Sequence, residues 1–266
     1  MLESVIPGVR VFPVRTPTLP PATHTNSWVL GERDVVVVDP ASPWPEEQEA
    51  LANALAGVTV RAIFLTHHHR DHVSGADDLR ARTGAPILAH AQTAALVPFS
   101  VDEAVDEGDA IAVDDGAPWD PIFTPGHAPG HLCLRRGDTI VAGDIVAGVG
   151  TIVLDPPDGE LALYLATLER LRRLDPARLL PAHGPVLAPG SPVLAYYIAH
   201  RHERTEQFRA ALRVLGAADP DAIAAHVYVE IPPSYLGVAA RQVLCHLQWL
   251  EERGEVMRDG EEWRLR

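Results

Sequence analysis

The sequence predicts an α/β fold in which helices cover stacked sheets. The chain has 266 residues, 47% of them hydrophobic, which is enough for one large core and a small appendage. Short apolar runs alternate with longer helical patterns along most of this length. Such an alternation is typical of layered folds with helices outside and sheets inside.

The strand predictions rest on short runs rich in apolar and β-branched residues. In chain order, strands are expected over residues 9–14, 28–30, 35–38, 60–66, 86–89, 121–124, 132–135, 139–142 and 178–181. Helical patterns connect these runs, and helices are expected over residues 46–56, 74–83 and 160–174. The predicted strands therefore belong to a main domain in which helices pack on the sheets.

The composition changes after the proline-rich stretch of residues 181–192. We therefore predict a main domain at residues 1–190 and a small C-terminal domain at residues 191–266. The latter should contain a long helix through Arg213, shorter helices over residues 220–226 and 236–253, and a hairpin of residues 255–258 and 262–265. Three helices followed by a hairpin indicate a winged helix.

Charge and composition exclude several classes of protein. A net charge of −14 opposes non-specific binding to nucleic acid and to anionic membranes. The most apolar stretch, residues 140–154, is interrupted by Asp144 and is shorter than the roughly 20 residues that span a bilayer. The first ten residues lack the pattern of a secretion signal, and Cys133 and Cys245 belong to no paired motif. We therefore expect a cytoplasmic protein that does not enter membranes.

A dense group of metal-binding side chains follows the strand predicted at residues 60–66. His67, His69, Asp71 and His72 form the pattern His-x-His-x-Asp-His. Backbone alternation directs His67 and His69 to the same side, and a turn into the next helix can bring the other two beside them. Neutral imidazole and carboxylate are the common ligands of zinc. A solvated histidine-rich loop is the plain alternative, but chance gives this pattern in roughly one such chain per several hundred.

Three further candidates stand at strand or loop junctions: His127 in Thr-Pro-Gly-His, Asp144 in Ala-Gly-Asp and His183 in Pro-Ala-His-Gly. Taken singly, each has a structural explanation, because an Asp after Gly often caps a turn and a lone His is often a packing residue. Their order and spacing after the first cluster favour a shared site. Two other histidines are interpreted differently: His68 should point away from its neighbours, and His131 is expected to be structural.

These seven positions resemble the pattern of the metallo-β-lactamase superfamily over residues 1 to about 190. The resemblance implies an αββα sandwich and two zinc ions per chain, with iron or manganese as alternatives. It implies His67, His69 and His127 as ligands of the first ion. It further implies Asp71, His72 and His183 for the second ion and Asp144 as the bridge.

Two cations about 3.5–4 Å apart can share a hydroxide, orient it and stabilise the oxyanion that its attack creates. Asp71 is the one residue for which we predict a catalytic acid–base role, because one of its oxygens can bind metal while the other moves a proton. The sequence therefore predicts a binuclear, zinc-dependent hydrolase.

The substrate is less constrained than the metal site. The β-lactamase-like protein 2 group resembles this chain also at the C-terminus, in the run YIAHRHER at residues 197–204 and in a hairpin containing Trp263. Its animal mitochondrial members look like single-strand endoribonucleases, which implies single-stranded RNA as substrate. A small molecule is the alternative, in the manner of a glyoxalase II-like thioester hydrolase, a lactonase or a β-lactamase. A degenerate hydrolase that acts as a binding module is the non-enzyme hypothesis.

The C-terminal domain itself gives little support to nucleic-acid binding. Residues 196–266 hold nine Arg and eleven Asp or Glu, and the helix over residues 236–253 presents Arg241 and Arg253. This is a poor surface for reading DNA, so strong binding of double-stranded DNA is not expected. Packing on the main domain, walling of the active site and a contact between subunits remain the structural alternatives, and the oligomeric state stays open.

Overall fold

The computed structural model describes residues 2–114 and 116–266. Within that part of the chain, the first sheet has seven strands in chain order: β1 (Glu3–Ile6), β2 (Val9–Arg15), β3 (His24–Leu30), β4 (Asp34–Val38), β5 (Thr59–Phe64), β6 (Ile87–Ala89) and β7 (Glu103–Ala104). The helices along this half are α1 (Pro45–Ala54), α2 (Arg70–Val73), α3 (Ala76–Thr83) and α4 (Ala91–Ala94). Strands β1 to β4 pair antiparallel and β4 to β7 pair parallel.

The second sheet is built from β8 (Asp120–Phe123), β9 (Leu132–Arg136), β10 (Thr139–Gly143) and β11 (Arg178–Pro181), in the order β11-β10-β9-β8. The long helices α5 (Leu161–Arg173) and α6 (Gly190–Leu215) follow β10 and β11. Because β10 and β11 run parallel, both strands end at the same edge of the sheet. The residues that follow them are therefore brought together.

Three buried clusters define the layers of the sandwich. Side chains of both sheets meet in the central cluster, for example Val36 and Phe64 of the first sheet with Leu134 of the second. A second cluster packs α1 and α3 on the outer face of the first sheet. A third packs α5 and the start of α6 on the second sheet. The order helix, sheet, sheet, helix confirms the predicted αββα sandwich.

The C-terminal elements are β12 (Ala217–Ala218), α7 (Pro220–Val227), a short 3-10 helix (Pro233–Tyr235), α8 (Leu236–Glu252), β13 (Val256–Asp259) and β14 (Glu262–Leu265). The three strands form a sheet of the order β12-β14-β13. Together with the helices, this sheet surrounds a fourth buried cluster that includes Phe208 and Trp263. This arrangement confirms the predicted winged helix. Among the described residues, no helix is both long and apolar enough to cross a bilayer.

Helix α6 belongs to two cores at once. Its first half places Leu194 and Tyr197 in the cluster under the second sheet, whereas Phe208 and Leu212 lie in the C-terminal cluster. The predicted boundary after residue 190 falls at the start of this helix, and the division into residues 1–190 and 191–266 stays a prediction. A continuous helix shared between two cores holds the C-terminal elements firmly against the sandwich.

Every predicted strand and helix overlaps an element of the structure, but several bounds differ. The largest extension is β3, predicted for residues 28–30, which begins at His24 because its polar residues 25–27 are buried and hydrogen-bonded. Asn26, for instance, donates from Nδ2 to the carbonyls of Pro181 and Gly184. The period-two apolar pattern does not mark such residues. The short strands β1, β7 and β12 were not predicted either.

Candidate metal centre

The seven predicted ligands lie at one edge of the sandwich. His67 and His69 follow β5, Asp71 and His72 lie on α2, His127 lies between β8 and β9, Asp144 follows β10 and His183 follows β11. The structure brings all seven together: His67, His69 and His127 form one group, Asp71, His72 and His183 form another, and Asp144, which is grouped with His67 and His72, joins the two. Strand ends supply most of them, as expected for a ligand site outside the carboxyl ends of strands.

The first group consists of three imidazoles. Nδ1 of His69 lies 3.0 Å from Nε2 of His67 and 3.1 Å from Nε2 of His127, and the two Nε2 atoms are 3.3 Å apart. A tetrahedral zinc ion with bonds of about 2.0–2.1 Å has donors about 3.3 Å apart. The triangle of nitrogens therefore has the dimensions of one face of such a site.

The second group consists of Asp71, His72 and His183, and Asp144 lies between the groups. Oδ2 of Asp144 is 3.6 Å from Nε2 of His127 and 3.5 Å from Nε2 of His72. Its other oxygen, Oδ1, is 3.4 Å from Nε2 of His183. Nε2 of His183 also lies 3.6 Å from Oδ2 of Asp71. The carboxylate of Asp144 can thus reach both groups.

Hydrogen bonds on the far side of the rings determine where the lone pairs point. Nδ1 of His127 donates to the carbonyl of Val153 at 2.9 Å, so the proton of the neutral ring is on Nδ1. Nδ1 of His67 lies 3.0 Å from Oγ1 of Thr66, whose own proton goes to Asp39. The hydroxyl therefore accepts from His67. Nε2 of both histidines is left with a lone pair that points into the group.

The second group has the same organisation. Nδ1 of His72 donates to Oδ2 of Asp39 at 2.8 Å, and Nδ1 of His183 donates to the carbonyl of His24 at 3.0 Å. The buried atoms Nε2 of His72 and Oδ1 of Asp144 make no hydrogen bond to any residue that the structure describes. Convergent lone pairs and buried acceptors without donors repel one another unless a cation lies among them. The residues therefore fit a metal pair.

Burial and charge set the protonation of these groups. Burial lowers the pKa of His67 and His127 well below the ordinary value, and neighbouring imidazoles lower it further, which keeps the rings neutral and able to ligate. Burial also opposes the charged form of His72, but the carboxylates of Asp144 and Asp39 outweigh it and raise that pKa. Burial raises the pKa of Asp144, yet nearby imidazoles lower it well below its usual range. The side chain of Asp144 is therefore an ionised carboxylate.

Two histidines outside the groups support the site. Nδ1 of His131 contacts Oγ1 of Thr124 at 2.8 Å, and its Nε2 accepts from the backbone N–H of Asp144 at 3.3 Å. Burial lowers the pKa of His131 to about 3, so the ring is a neutral acceptor there. His68 was expected to point away from its neighbours, but its ring lies 4.7 Å from that of His69, and its Nε2 lies 3.0 Å from Oδ2 of Asp158. The buried, hydrogen-bonded ring of His131 is consistent with the structural role expected for it.

Sequence reasoning missed two acidic residues beside the cluster, Asp39 and Asp158. Asp39 ends the apolar run of β4 with a positive φ of 49° and accepts hydrogen bonds from both Thr66 and His72. An acidic residue directly after four consecutive valines was an available signal for it. Asp158 lies 90 residues from His68 in sequence, and no local pattern connects the two.

Gly126 positions His127 by close packing against α5. It has a φ of +123°, and a Cβ there would lie 2.2 Å from the backbone nitrogen of Tyr164. We expect Gly126→Ala to lower the free energy of unfolding by at least about 3 kcal/mol, because strained backbone adds to a clash with main chain. Urea unfolding measures the loss. Gly57→Ala is the matched control, since Gly57 has a φ of +92° and no atom of the residues described lies within 4 Å of the added Cβ. Equal losses for the two variants would contradict this account.

A cavity of about 640 Å³ opens above the cluster. His69, Asp71, His127, Asp144 and His183 line its floor. Its walls come from the β2–β3 loop, from the segment after β10 and from the C-terminal elements, and most wall residues are apolar: Leu19, Pro20, Pro21, Ala22, Val149, Val153, Tyr228, Ile231, Pro232, Tyr235, Val238 and Ala239. C-terminal residues thus wall the cavity above the candidate ligands, in agreement with one of the sequence-based alternatives.

An αββα sandwich with clustered His and Asp side chains at one sheet edge defines a class of metal-dependent hydrolases. The family model of the metallo-beta-lactamase superfamily matches residues 20–183, more than half of the chain, and the chain belongs to this superfamily. A second model, the beta-lactamase associated winged helix domain, matches residues 220–263. The chain is therefore a hydrolase of this superfamily with a C-terminal winged helix.

Comparison with individual known proteins shows how much of the chain the similarity covers. The beta-lactamase-like protein 2 homolog of Drosophila melanogaster is 27% identical over 256 residues, which cover 87% of this chain and 84% of that protein. A hydroxyacylglutathione hydrolase of Acidiphilium cryptum is 39% identical over 126 residues, or 47% of this chain and 50% of the relative. A metallo-beta-lactamase family protein from Thermus thermophilus superposes with a TM-score of 0.83 at 24% identity, over 99% of this chain and 100% of that chain. The predicted resemblance is confirmed.

Proposed function

We propose that this chain is a hydrolase with two bound metal ions, with zinc as the first candidate, that cleaves small esters or thioesters carrying an apolar group. In this proposal, His67, His69 and His127 hold one ion, and Asp71, His72 and His183 hold the other. Asp144 binds both. The observation that carries the proposal is the cavity, whose floor is the ligand cluster and whose walls are mostly apolar.

The walls favour a small, uncharged substrate over a polynucleotide. Among residues 2–114 and 116–266, two arginines line the cavity, Arg70 and Arg241, and Arg241 already donates hydrogen bonds to Asp155 and to the carbonyl of Pro156. Four aspartates also line it: Asp71, Asp144, Asp155 and Asp158. Proteins that bind single strands use a basic groove along the phosphate backbone. An apolar acyl group, by contrast, gains about 0.8 kcal/mol per methylene that it buries.

The relatives support a carbonyl substrate in part. A hydroxyacylglutathione is a thioester, and the protein named for its hydrolysis is 39% identical to this chain over 126 residues. Single-stranded RNA, expected from the resemblance to the β-lactamase-like protein 2 group, stays a prediction. It is the competing substrate in the experiment below.

When bound, the metal pair supplies Lewis-acid polarisation and lowers the pKa of water at the site. The residues of the chain do the rest. Hydrolysis adds a proton and a hydroxyl across the C–O or C–S bond, and Asp71, which faces the cavity, takes the proton from water and returns it to the leaving alcohol or thiol. The apolar walls orient the acyl group and exclude bulk water from it.

Hydrolysis rates measured in parallel on one protein preparation distinguish between the candidate substrates. Zinc-loaded protein should hydrolyse a series of neutral aryl esters, with kcat/KM rising about threefold to fourfold per added methylene until the cavity is filled. S-lactoylglutathione and a single-stranded RNA complete the panel. The Asp71→Asn protein is the control for contaminating hydrolases. Cleavage of RNA by the wild-type protein alone, with esters and thioester intact, would replace this proposal with the ribonuclease function.

The role of the cavity wall in substrate binding can be tested separately from the catalytic step. Ile231→Ser should flatten the dependence of kcat/KM on acyl length, because Ile231 lines the cavity and its apolar surface would be lost. Val214→Ser is the matched control, since Val214 is 71% exposed and does not line the cavity. An unchanged chain-length profile in Ile231→Ser would contradict the assignment of the wall to substrate binding.

A further inference from the structure

We infer that Asp158 is a positioning residue that holds His69 in its ligating orientation, and that Arg241 makes the C-terminal domain part of this support. The inference rests on the proposed metal pair. It assigns to α8 a structural task at the active site and not the reading of a nucleic acid.

Each of the five imidazoles of the cluster has one ring nitrogen that faces outward, away from the other ligands. Four of these nitrogens lie 2.8–3.0 Å from an oxygen, namely Oγ1 of Thr66, Oδ2 of Asp39 and the carbonyls of Val153 and His24. His69 is the fifth, and its outward nitrogen, Nε2, faces Oδ2 of Asp158 at 3.6 Å. Asp158 therefore lies on the side where an acceptor lies at every other ring of the cluster, at a distance of 3.6 Å that makes the contact electrostatic and not a hydrogen bond. The negative charge beside Nε2 favours the form of the ring with its proton on Nε2 and its lone pair on Nδ1.

His69 needs this support more than the other rings do. Its side chain is 32% exposed, whereas those of His127 and His183 are 5% and 7% exposed, so packing restricts it less. The same Oδ2 atom of Asp158 lies 3.0 Å from Nε2 of His68. Nδ1 of His68 is buried and makes no hydrogen bond within the described part of the chain, so the polar contact of that ring is with Asp158. His68 thus holds the carboxylate in place beside His69.

The loop that carries Asp158 is anchored from the C-terminal domain. Arg241 on α8 donates from Nε to Oδ1 of Asp155 and from Nη2 to the carbonyl of Pro156. Sγ of Cys245, one turn further along α8, lies 3.5 Å from the carbonyl of Gly159. The loop is therefore attached to α8 on both sides of Asp158. Movement of α8 would shift the carboxylate and release His69.

Metal binding by the chelator-treated protein tests the inference without an activity assay. Co²⁺ is titrated into wild-type protein, Asp158→Asn, Asp158→Glu and Arg241→Gln, and affinity is measured by competition with a chelator while the visible spectrum is recorded. Loss of the carboxylate partner of a ligating histidine should lower the affinity for one of the two Co²⁺ ions by about 10-fold and shift the absorption bands of that ion. Asp158→Glu should restore part of the affinity, and Arg241→Gln should act in the same direction as Asp158→Asn but less strongly.

The controls are Asp120→Asn and Arg213→Gln, which change exposed residues away from the cluster. Circular dichroism verifies that each variant is folded. Wild-type protein that binds two ions, together with Asp158→Asn and Arg241→Gln proteins of equal affinity and spectrum, would overturn the inference and leave the proposed function intact. Wild-type protein that binds fewer than two ions would overturn both.

Discussion

Metal-saturated protein is expected to hold two ions per chain, and Asp144→Ala is expected to hold fewer than one under the same conditions. The reason is geometric, because Oδ2 of Asp144 faces His127 of the first group and Oδ1 faces His183 of the second. Removal of one carboxylate thus takes a ligand from both ions. Mutation of a residue that only orients a metal ligand lowers metal affinity by about 10–100-fold. Loss of a ligand that both ions share should therefore lower metal affinity by at least about 100-fold.

Metal analysis after dialysis against a defined free-metal concentration measures this effect, and it also identifies the metal that the purified protein retains. Asp120→Asn is a matched control because it removes an exposed carboxylate from the second sheet. Two ions retained in Asp144→Ala would show that the carboxylate does not bridge. A single ion in the saturated wild-type protein would rule out the binuclear assignment itself.

Asp71→Asn is expected to lower kcat by a factor of about 100 to 10,000, the range that general acid–base catalysis contributes. The amide keeps the size of the carboxylate but loses the charge that binds metal and the ability to accept a proton. Asp71 lies on α2 with its side chain 20% exposed, and it lines the cavity, so the fold should tolerate the change. Turnover of the preferred ester and the metal content are measured on the same sample.

Metal content separates the two roles of Asp71. A variant that keeps two ions and loses turnover has lost proton transfer, whereas a variant that loses the second ion has lost a ligand as well. Activity within about tenfold of wild type, at equal metal content, would exclude the acid–base role. The thermal unfolding midpoint of the variant, compared with that of Asp120→Asn, verifies that the loss is chemical.

The αββα fold could be predicted because its signals are local. Burial of one or both faces of a strand or helix leaves a repeat in the sequence, and the valine run of β4 and the apolar positions of α5 show it directly. The first half of the metal site is equally local, since His67, His69, Asp71 and His72 follow one strand. The remaining candidates, His127, Asp144 and His183, were selected by their order and their place after apolar runs.

Tertiary structure alone decided what surrounds those residues. Asp39 and Asp158 approach the histidines from other loops, and such contacts leave no repeat in the chain because they join residues far apart in sequence. The same holds for the cavity wall, where the β2–β3 loop and the residues around Ile231 meet above the cluster. The sequence by itself determined the ligand types and the strands that present them. Folding determined which nitrogen of each ring faces the site and which apolar side chains close over it, because both depend on partners that only packing brings within reach.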